Sequence, residues 1–145
     1  MVVSDTNTSA RMRVLVYSDK ADTREQIRLA IGRRPAADVP KVEFVECATA
    51  PVVLRELENK EPTARIDVAI LDGEAAPVGG IGLCRQVKDE IFRGPPILLL
   101  VGRRDDGWLG TWSGAEQVIS HPIDPVALAE SLAELMRQRS TALSG

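Results

Sequence analysis

Two aspartates that directly follow apolar segments are the residues of this sequence best suited to chemistry. Asp19 comes shortly after the segment 14–17, and Asp72 follows the segment 68–71. Ligands of an open parallel sheet bind beyond the carboxyl ends of its strands, so the two carboxylates are expected to converge at one edge. The two like charges would repel each other unless a divalent cation lay between them. Mg2+ suits carboxylates, waters and a phosphoryl group, and a carboxylate beside it could attack phosphorus.

Five apolar, β-branched segments must position these acids, and they alternate with helical patterns. They span residues 14–17, 42–47, 68–71, 97–101 and 118–120. Continuous apolar runs are typical of strands covered on both faces, while the less uniform second segment favours an edge position. The alternation predicts an α/β fold, a doubly wound parallel sheet with helices on both faces. The flavodoxin-like order 2-1-3-4-5 is its most economical right-handed topology.

Capping residues and glycines predict where the helices begin and end. Asp22, with Glu25 three residues later, forms a capping box, and Gly32 can end that helix. Thr49 precedes a second helix that carries Pro51 in its first turn.

Three more helices are expected in the second half of the chain. The third covers about 81–91, and Asp105 or Asp106 caps a short fourth helix. The last helix begins at Asp124 and Pro125. Its predicted apolar stripe consists of Val126, Leu128, Leu132, Leu135 and Met136.

Length and composition fit one globular domain. The chain has 145 residues, of which 44% are hydrophobic and 27% charged. We expect a disordered tail over 1–10, the domain over 11–140 and a short tail over 141–145. The net charge of −3 argues against nucleic-acid binding. Without a long apolar stretch or a signal peptide, we expect no membrane insertion and a cytoplasmic location. The two cysteines, Cys47 and Cys84, are expected in the core.

The order and spacing of these segments resemble the receiver domain of bacterial response regulators, the CheY-like type, over residues 12 to about 138. Residues 14–19 are similar to the family's first strand with its acidic pair, and residues 70–72 to its third strand with the phosphorylated aspartate. Gly80 lies eight residues after that aspartate, and residues 121–122 (His-Pro) occupy the place of the family's Lys-Pro.

The resemblance implies a role for three acidic residues. Asp72 matches the aspartate that receives a phosphoryl group from a sensor histidine kinase, and Asp19 matches a Mg2+ ligand. Glu74 matches the position whose backbone carbonyl binds the metal. The implied metal site therefore consists of Asp19, Asp72 and Glu74.

Three positions around this site depart from the family pattern. Ser18 replaces the first acid of the pair, which removes one negative charge from the metal site. Val101 replaces a threonine or serine and lacks the hydroxyl that would bond the phosphoryl group. His121 replaces a lysine, and its shorter imidazole does not supply the same fixed cation.

We therefore expect an atypical stand-alone receiver that signals through protein–protein interaction and is not an enzyme in the usual sense. Mg2+ binding is expected to be weak, and phosphorylation at Asp72 weakened or lost. The alternative is a working phosphoacceptor that takes its phosphoryl group from a histidine kinase. A flavodoxin-like nucleotide binder is a third possibility, but the turn from Ser18 to Asp22 is acidic and unsuited to a phosphate.

Two tryptophans indicate where a partner could bind. Trp108 and Trp112 are spaced i and i+4 on the short fourth helix, and aromatic anchors are typical of interfaces. The partner is an unidentified protein, and the resemblance adds a sensor histidine kinase. The chain itself is expected to be a monomer or a weak homodimer.

Overall fold

A five-stranded parallel sheet in the order 2-1-3-4-5 forms the centre of the computed structural model, which describes residues 11–76, 78–103 and 107–144. All neighbouring strands pair in parallel. The strands are β1 (Arg11–Tyr17), β2 (Lys41–Cys47), β3 (Val68–Asp72), β4 (Ile97–Val101) and β5 (Gln117–Ser120). The predicted fold class and strand order are confirmed, and β2 lies at an edge as expected.

Helices cover both faces of the sheet, as predicted. They are α1 (Ala21–Ile31), α2 (Ala50–Glu58), α3 (Gly80–Glu90), α4 (Gly107–Ser113) and α5 (Pro125–Ser144), with a short 3-10 turn at Pro62–Ala64. The buried side chains of α1 and α5 pack on one face of the sheet, and those of α2 and α3 pack on the other face. None of the helices among the described residues combines the length and apolar composition that crossing a bilayer requires.

The strands supply both halves of the core because their side chains alternate between the two faces. In β1, Val14 and Val16 pack toward α1 and α5, whereas Leu15 and Tyr17 pack toward α2 and α3. Every residue of β3 and β4 is buried. The two cysteines are also buried in the second half of the core, as predicted.

The first helix begins earlier than its capping box predicts. Its N-cap is Lys20, without a side-chain capping bond, and Asp22 lies in the first turn. The Ser18 hydroxyl accepts the N–H of Lys20 at 3.2 Å, so a turn already forms before Asp22. Gly32 ends the helix at φ 66°, as expected. Thr49 is the N-cap of α2, but its side chain makes no capping bond.

The last helix has the predicted cap, but its apolar stripe begins later than predicted, and the helix itself is longer. Asp124 Oδ1 accepts the N–H groups of Val126 and Ala127 at 2.9 and 3.3 Å. Val126 itself is exposed, while Leu128 is buried. Successive helical residues are about 100° apart, so two positions before Leu128 the side chain points away from the sheet. The helix continues to Ser144, through the region expected as a tail.

Some expectations fall outside the described residues. These are the tail at residues 1–10 and the cap at Asp105 or Asp106.

Candidate functional site

Asp72 and Ser18 form the centre of the candidate site at the carboxyl end of the sheet. The register pairs Tyr17 of β1 with Leu71 of β3, so the residues that follow them become neighbours. Both Ser18 and Asp72 are buried. The Ser18 hydroxyl donates a hydrogen bond to Asp72 Oδ2 at 2.8 Å. The N–H of Glu74 donates to Asp72 Oδ1 at 2.9 Å, so both carboxylate oxygens already accept protein hydrogen bonds.

His121 joins this pair from the end of β5. Its Nε2 lies 3.5 Å from Asp72 Oδ1, and the imidazole is only partly exposed. That nitrogen is buried and has no hydrogen-bond partner in the part of the chain that the structure describes. The N–H of His121 donates to the Val101 carbonyl at 2.8 Å, which fixes the backbone, and the bond to Pro122 is cis. The structure therefore brings Ser18, Asp72 and His121 together.

The carboxylates of Asp19 and Glu74 have contacts of their own, and Glu74 borders the pocket that Asp72 and His121 also line. Asp19 is exposed, and its Oδ1 accepts the N–H of Ala76 at 3.1 Å, which ties the end of β1 to the loop after β3. The Glu74 carboxylate lies against Gly102, where an added Cβ would come within 2.5 Å of Oε1. Among the described residues, no three His, Cys, Asp or Glu side chains are placed to share a metal ion.

The Mg2+ site of Asp19, Asp72 and Glu74 stays a prediction, with Glu74 expected to contribute its backbone carbonyl. Mg2+ demands near-octahedral oxygen ligands and usually takes one or two carboxylates. The Asp72 oxygens accept hydrogen bonds from Ser18 and a backbone amide, and Asp19 accepts the N–H of Ala76. Because Ser18 donates a proton where an acid would supply negative charge, a Mg2+ ion here would have one charged ligand fewer than the family pattern provides.

Val101 and Val118 belong to the half of the core on the side of α2 and α3. Val101 is buried at the end of β4 and has no hydroxyl to offer a ligand. Val118 of β5 packs directly against Gly110 of α4, where no side chain larger than hydrogen fits. Helix α4 therefore lies close on the sheet at this point.

The two tryptophans of α4 are solvent-exposed. Trp108 is 67% exposed and Trp112 is 52% exposed. The Arg85 guanidinium lies 5.9 Å from the centroid of the Trp112 ring, within the range of a cation–π contact. The tryptophans are therefore available to a partner, away from the pocket at Asp72.

Sequence reasoning missed three residues that line the Asp72 pocket. Lys20, Thr23 and Gln26 border a pocket of about 210 Å3 together with Asp72 and His121. The signal for them was the i, i+3 spacing from position 20, which places all three on one side of α1.

Tyr17 lies behind this pocket. Its hydroxyl donates to the Val78 carbonyl at 2.6 Å. Burial raises the pKa of the Tyr17 phenol, and the negative charges of Asp19 and Asp72 raise it further. The phenol therefore stays protonated and holds the loop after β3.

Comparison with known proteins identifies the family. No protein-family model matches the chain. The chain is 47% identical over 131 residues to a response regulatory protein of Mycobacterium tuberculosis H37Rv, covering 90% of this chain and 96% of that protein.

Solved structures show the same fold. A CheY-like receiver domain from Methanospirillum hungatei has a TM-score of 0.68 and 19% identity, over 92% of this chain and 99% of that one. The chemotaxis response regulator CheY4 of Vibrio cholerae has a TM-score of 0.70 and 21% identity, over 87% and 99%. From the identity to the mycobacterial protein, together with this shared fold, it follows that the chain belongs to the response-regulator receiver family.

Proposed function

We propose that this receiver domain signals by binding another protein, and that phosphorylation of Asp72 is weakened or lost. The observation that carries the proposal is the state of the Asp72 carboxylate. One oxygen accepts the Ser18 hydroxyl, the other accepts the Glu74 amide, and no set of three metal-ligating side chains surrounds them in the described residues.

The chemistry of phosphoryl transfer explains why this arrangement is unfavourable. A carboxylate oxygen attacks phosphorus through a lone pair, and the hydrogen bond from Ser18 stabilises the unreacted carboxylate. The transferred group carries negative charge, which is normally balanced by preorganised cations. Here the nearby cationic side chains are Lys20, which lines the pocket, and His121, if it is protonated. Transfer to Asp72 is therefore expected to be slow.

The exposed tryptophans support an output by protein contact. Trp108 and Trp112 lie on α4, which packs on β5 through Gly110 and Val118. Tryptophan is enriched among the residues that dominate binding energy at interfaces. Val101 offers no hydroxyl to a phosphoryl group. We therefore infer that a partner binds the face around Trp108 and Trp112 without a signal from phosphorylation.

Intact mass spectrometry tests the proposal directly. The protein is incubated with Mg2+ and acetyl phosphate, alongside Asp72→Asn. We expect little or no phosphoryl adduct on the wild type and none on Asp72→Asn, while circular dichroism shows both folded. Phosphorylation of most of the wild-type protein that is absent from Asp72→Asn would overturn the proposal and favour the working phosphoacceptor.

A further inference from the structure

Arginines and one phenylalanine cluster at the amino ends of the strands, opposite Asp72. We call this region the amino-end surface. It consists of Arg11, Arg13, Arg65, Arg93, Arg139 and Phe92. Two shallow depressions of about 260 and 100 Å3 lie within it, and Arg65 lines both, so the surface is continuous.

The charge of this surface is opposite to that of the whole chain. The chain carries a net charge of −3. Within the two depressions, five arginines face only two acids, Glu43 and Asp67. Glu43 pairs with Arg13 at 3.3 Å, and Asp67 is buried, so neither acid leaves much negative charge at the surface. The amino-end surface is therefore locally basic.

Several guanidinium donors on this surface lack a good acceptor. Arg13 Nη1 and Arg139 Nε are buried without a hydrogen-bond partner in the described part of the chain. Arg65 and Arg139 approach Asp67 Oδ1 only to 3.4 and 3.9 Å, while Oδ2 accepts the backbone N–H of Arg13 at 2.9 Å. Burial lowers the pKa of Arg139, and Asp67 opposes that shift. Because these two nitrogens are buried, a bound segment would instead meet the exposed guanidinium groups of Arg65 and Arg93.

Phe92 adds an apolar anchor to the same surface. Its side chain is 85% exposed, more than any other large apolar residue whose burial is described. The neighbouring Arg93 has φ 57°, a conformation that costs free energy for a residue with a Cβ. Its guanidinium lies 5.2 Å from the Phe92 ring centroid. Ile91 and Leu57 line the depression beside the ring.

We infer that the amino-end surface binds an acidic segment of a partner protein. Carboxylates of that segment would pair with Arg65 and its neighbours, and an apolar side chain would pack on Phe92. Arginine forks match carboxylates in two-bond geometry, which supports this charge complementarity. A nucleic acid fits less well, because its long run of phosphates would meet a chain whose net charge is −3. This inference is independent of phosphorylation at Asp72.

A peptide titration followed by NMR tests the inference. The probe is a short synthetic peptide of glutamates around one central phenylalanine, and its neutral control carries glutamine in place of glutamate. We expect amide shifts at Arg65, Phe92 and Arg93, and an affinity that falls as salt rises. Replacing the two exposed residues by Arg65→Gln and Phe92→Ser should weaken binding about tenfold or more.

A matched variant controls for general loss of charge and apolar surface. Arg103→Gln with Leu29→Ser removes one exposed arginine and one exposed apolar side chain elsewhere, and should bind the peptide as the wild type does. Equal binding of the glutamine peptide, shifts confined to other surfaces, or no shifts at millimolar peptide would each overturn the inference. Equally tight binding of a single-stranded DNA oligonucleotide at these residues would replace the acidic partner with a nucleic acid.

Discussion

Each end of the sheet buries one aspartate, and the two aspartates have different surroundings. At the carboxyl end, Asp72 accepts the Ser18 hydroxyl and a backbone amide, with His121 3.5 Å away. At the amino end, Asp67 accepts one backbone amide and lies between the guanidinium groups of Arg65 and Arg139. The Asp72 carboxylate is therefore stabilised mainly by neutral hydrogen-bond donors, whereas the Asp67 carboxylate is stabilised mainly by the positive charge of arginines.

The two ends therefore differ in the charge around their buried carboxylates. At the carboxyl end, the Ser18 hydroxyl donates to one oxygen of Asp72. At the amino end, five arginines and two acids line the two depressions.

The largest expected difference between the two ends is in stability. Asp67→Asn keeps the size of the side chain but removes the charge that faces the guanidinium groups of Arg65 and Arg139. Because Asp67 is buried but Arg65 is largely exposed, we expect a loss of about 1.5–3 kcal/mol in the free energy of unfolding, as for hydrogen bonds to charged groups. Urea denaturation measures this loss.

Two matched variants sharpen that result. Asp72→Asn should change the free energy of unfolding by less than about 1 kcal/mol, because its main partners are uncharged. Asp38→Asn removes an exposed partner of Arg137 and should have little effect. If Asp67→Asn and Asp72→Asn were equally destabilising, the proposed contrast between the two ends would be wrong.

Restoring the missing acid should make the carboxyl end responsive to metal. In Ser18→Asp two buried carboxylates would face each other, so we expect lower stability without Mg2+. At a Mg2+ concentration ten times the dissociation constant, binding would stabilise the variant by about 1.4 kcal/mol. Thermal unfolding with Mg2+, against the same ionic strength of NaCl, measures this gain. A wild-type protein that responds as strongly as the variant would contradict our account of Ser18.

Removing the hydroxyl alone tests its bond to Asp72. Ser18→Ala leaves one oxygen of a buried carboxylate without its donor, and we expect a loss of about 1 kcal/mol in the free energy of unfolding. In the double variant Ser18→Ala with Asp72→Asn, the loss should be smaller than the sum of the two single losses. Additive losses in urea unfolding would show that the two side chains are not coupled.

Alkaline pH should affect the buried thiol of Cys47, the last residue of β2, at the carboxyl end of the sheet. Burial raises the pKa of the Cys47 thiol from 9.0 to about 11, and Glu56 adds to the shift. The unfolded thiol ionises first, so stability that is complete below pH 9 is lost as the pH rises toward 11. The loss from Cys47 should be about 1 kcal/mol at pH 10. In urea unfolding across this pH range, the free energy of unfolding of Cys47→Ala should fall less steeply with pH. Asp72→Asn should keep the slope of the wild type.

The sequence patterns predicted the sheet well because strand order follows from the burial pattern and the handedness of crossovers. Continuous apolar runs correctly indicated strands covered on both faces, and Asp124 was correctly placed as a helix cap. The start of α1 and the burial of Val126 were predicted wrongly. Both errors concern the first turn of a helix. In α1, the hydrogen bond from Lys20 N–H to the Ser18 hydroxyl starts a turn before Asp22. In α5, the rotation of the helix turns Val126 away from the sheet.

By itself the sequence determined the fold, because apolar segments that alternate with helical patterns specify a parallel sheet whose carboxyl strand ends share one edge. Only the tertiary structure decided how the acids are used. Asp19 hydrogen-bonds the loop after β3, and Ser18 occupies an oxygen of Asp72. The basic surface around Arg65 also needed the structure, because its residues are far apart along the chain. Side-chain direction and long-range proximity depend on packing, which local sequence patterns do not encode.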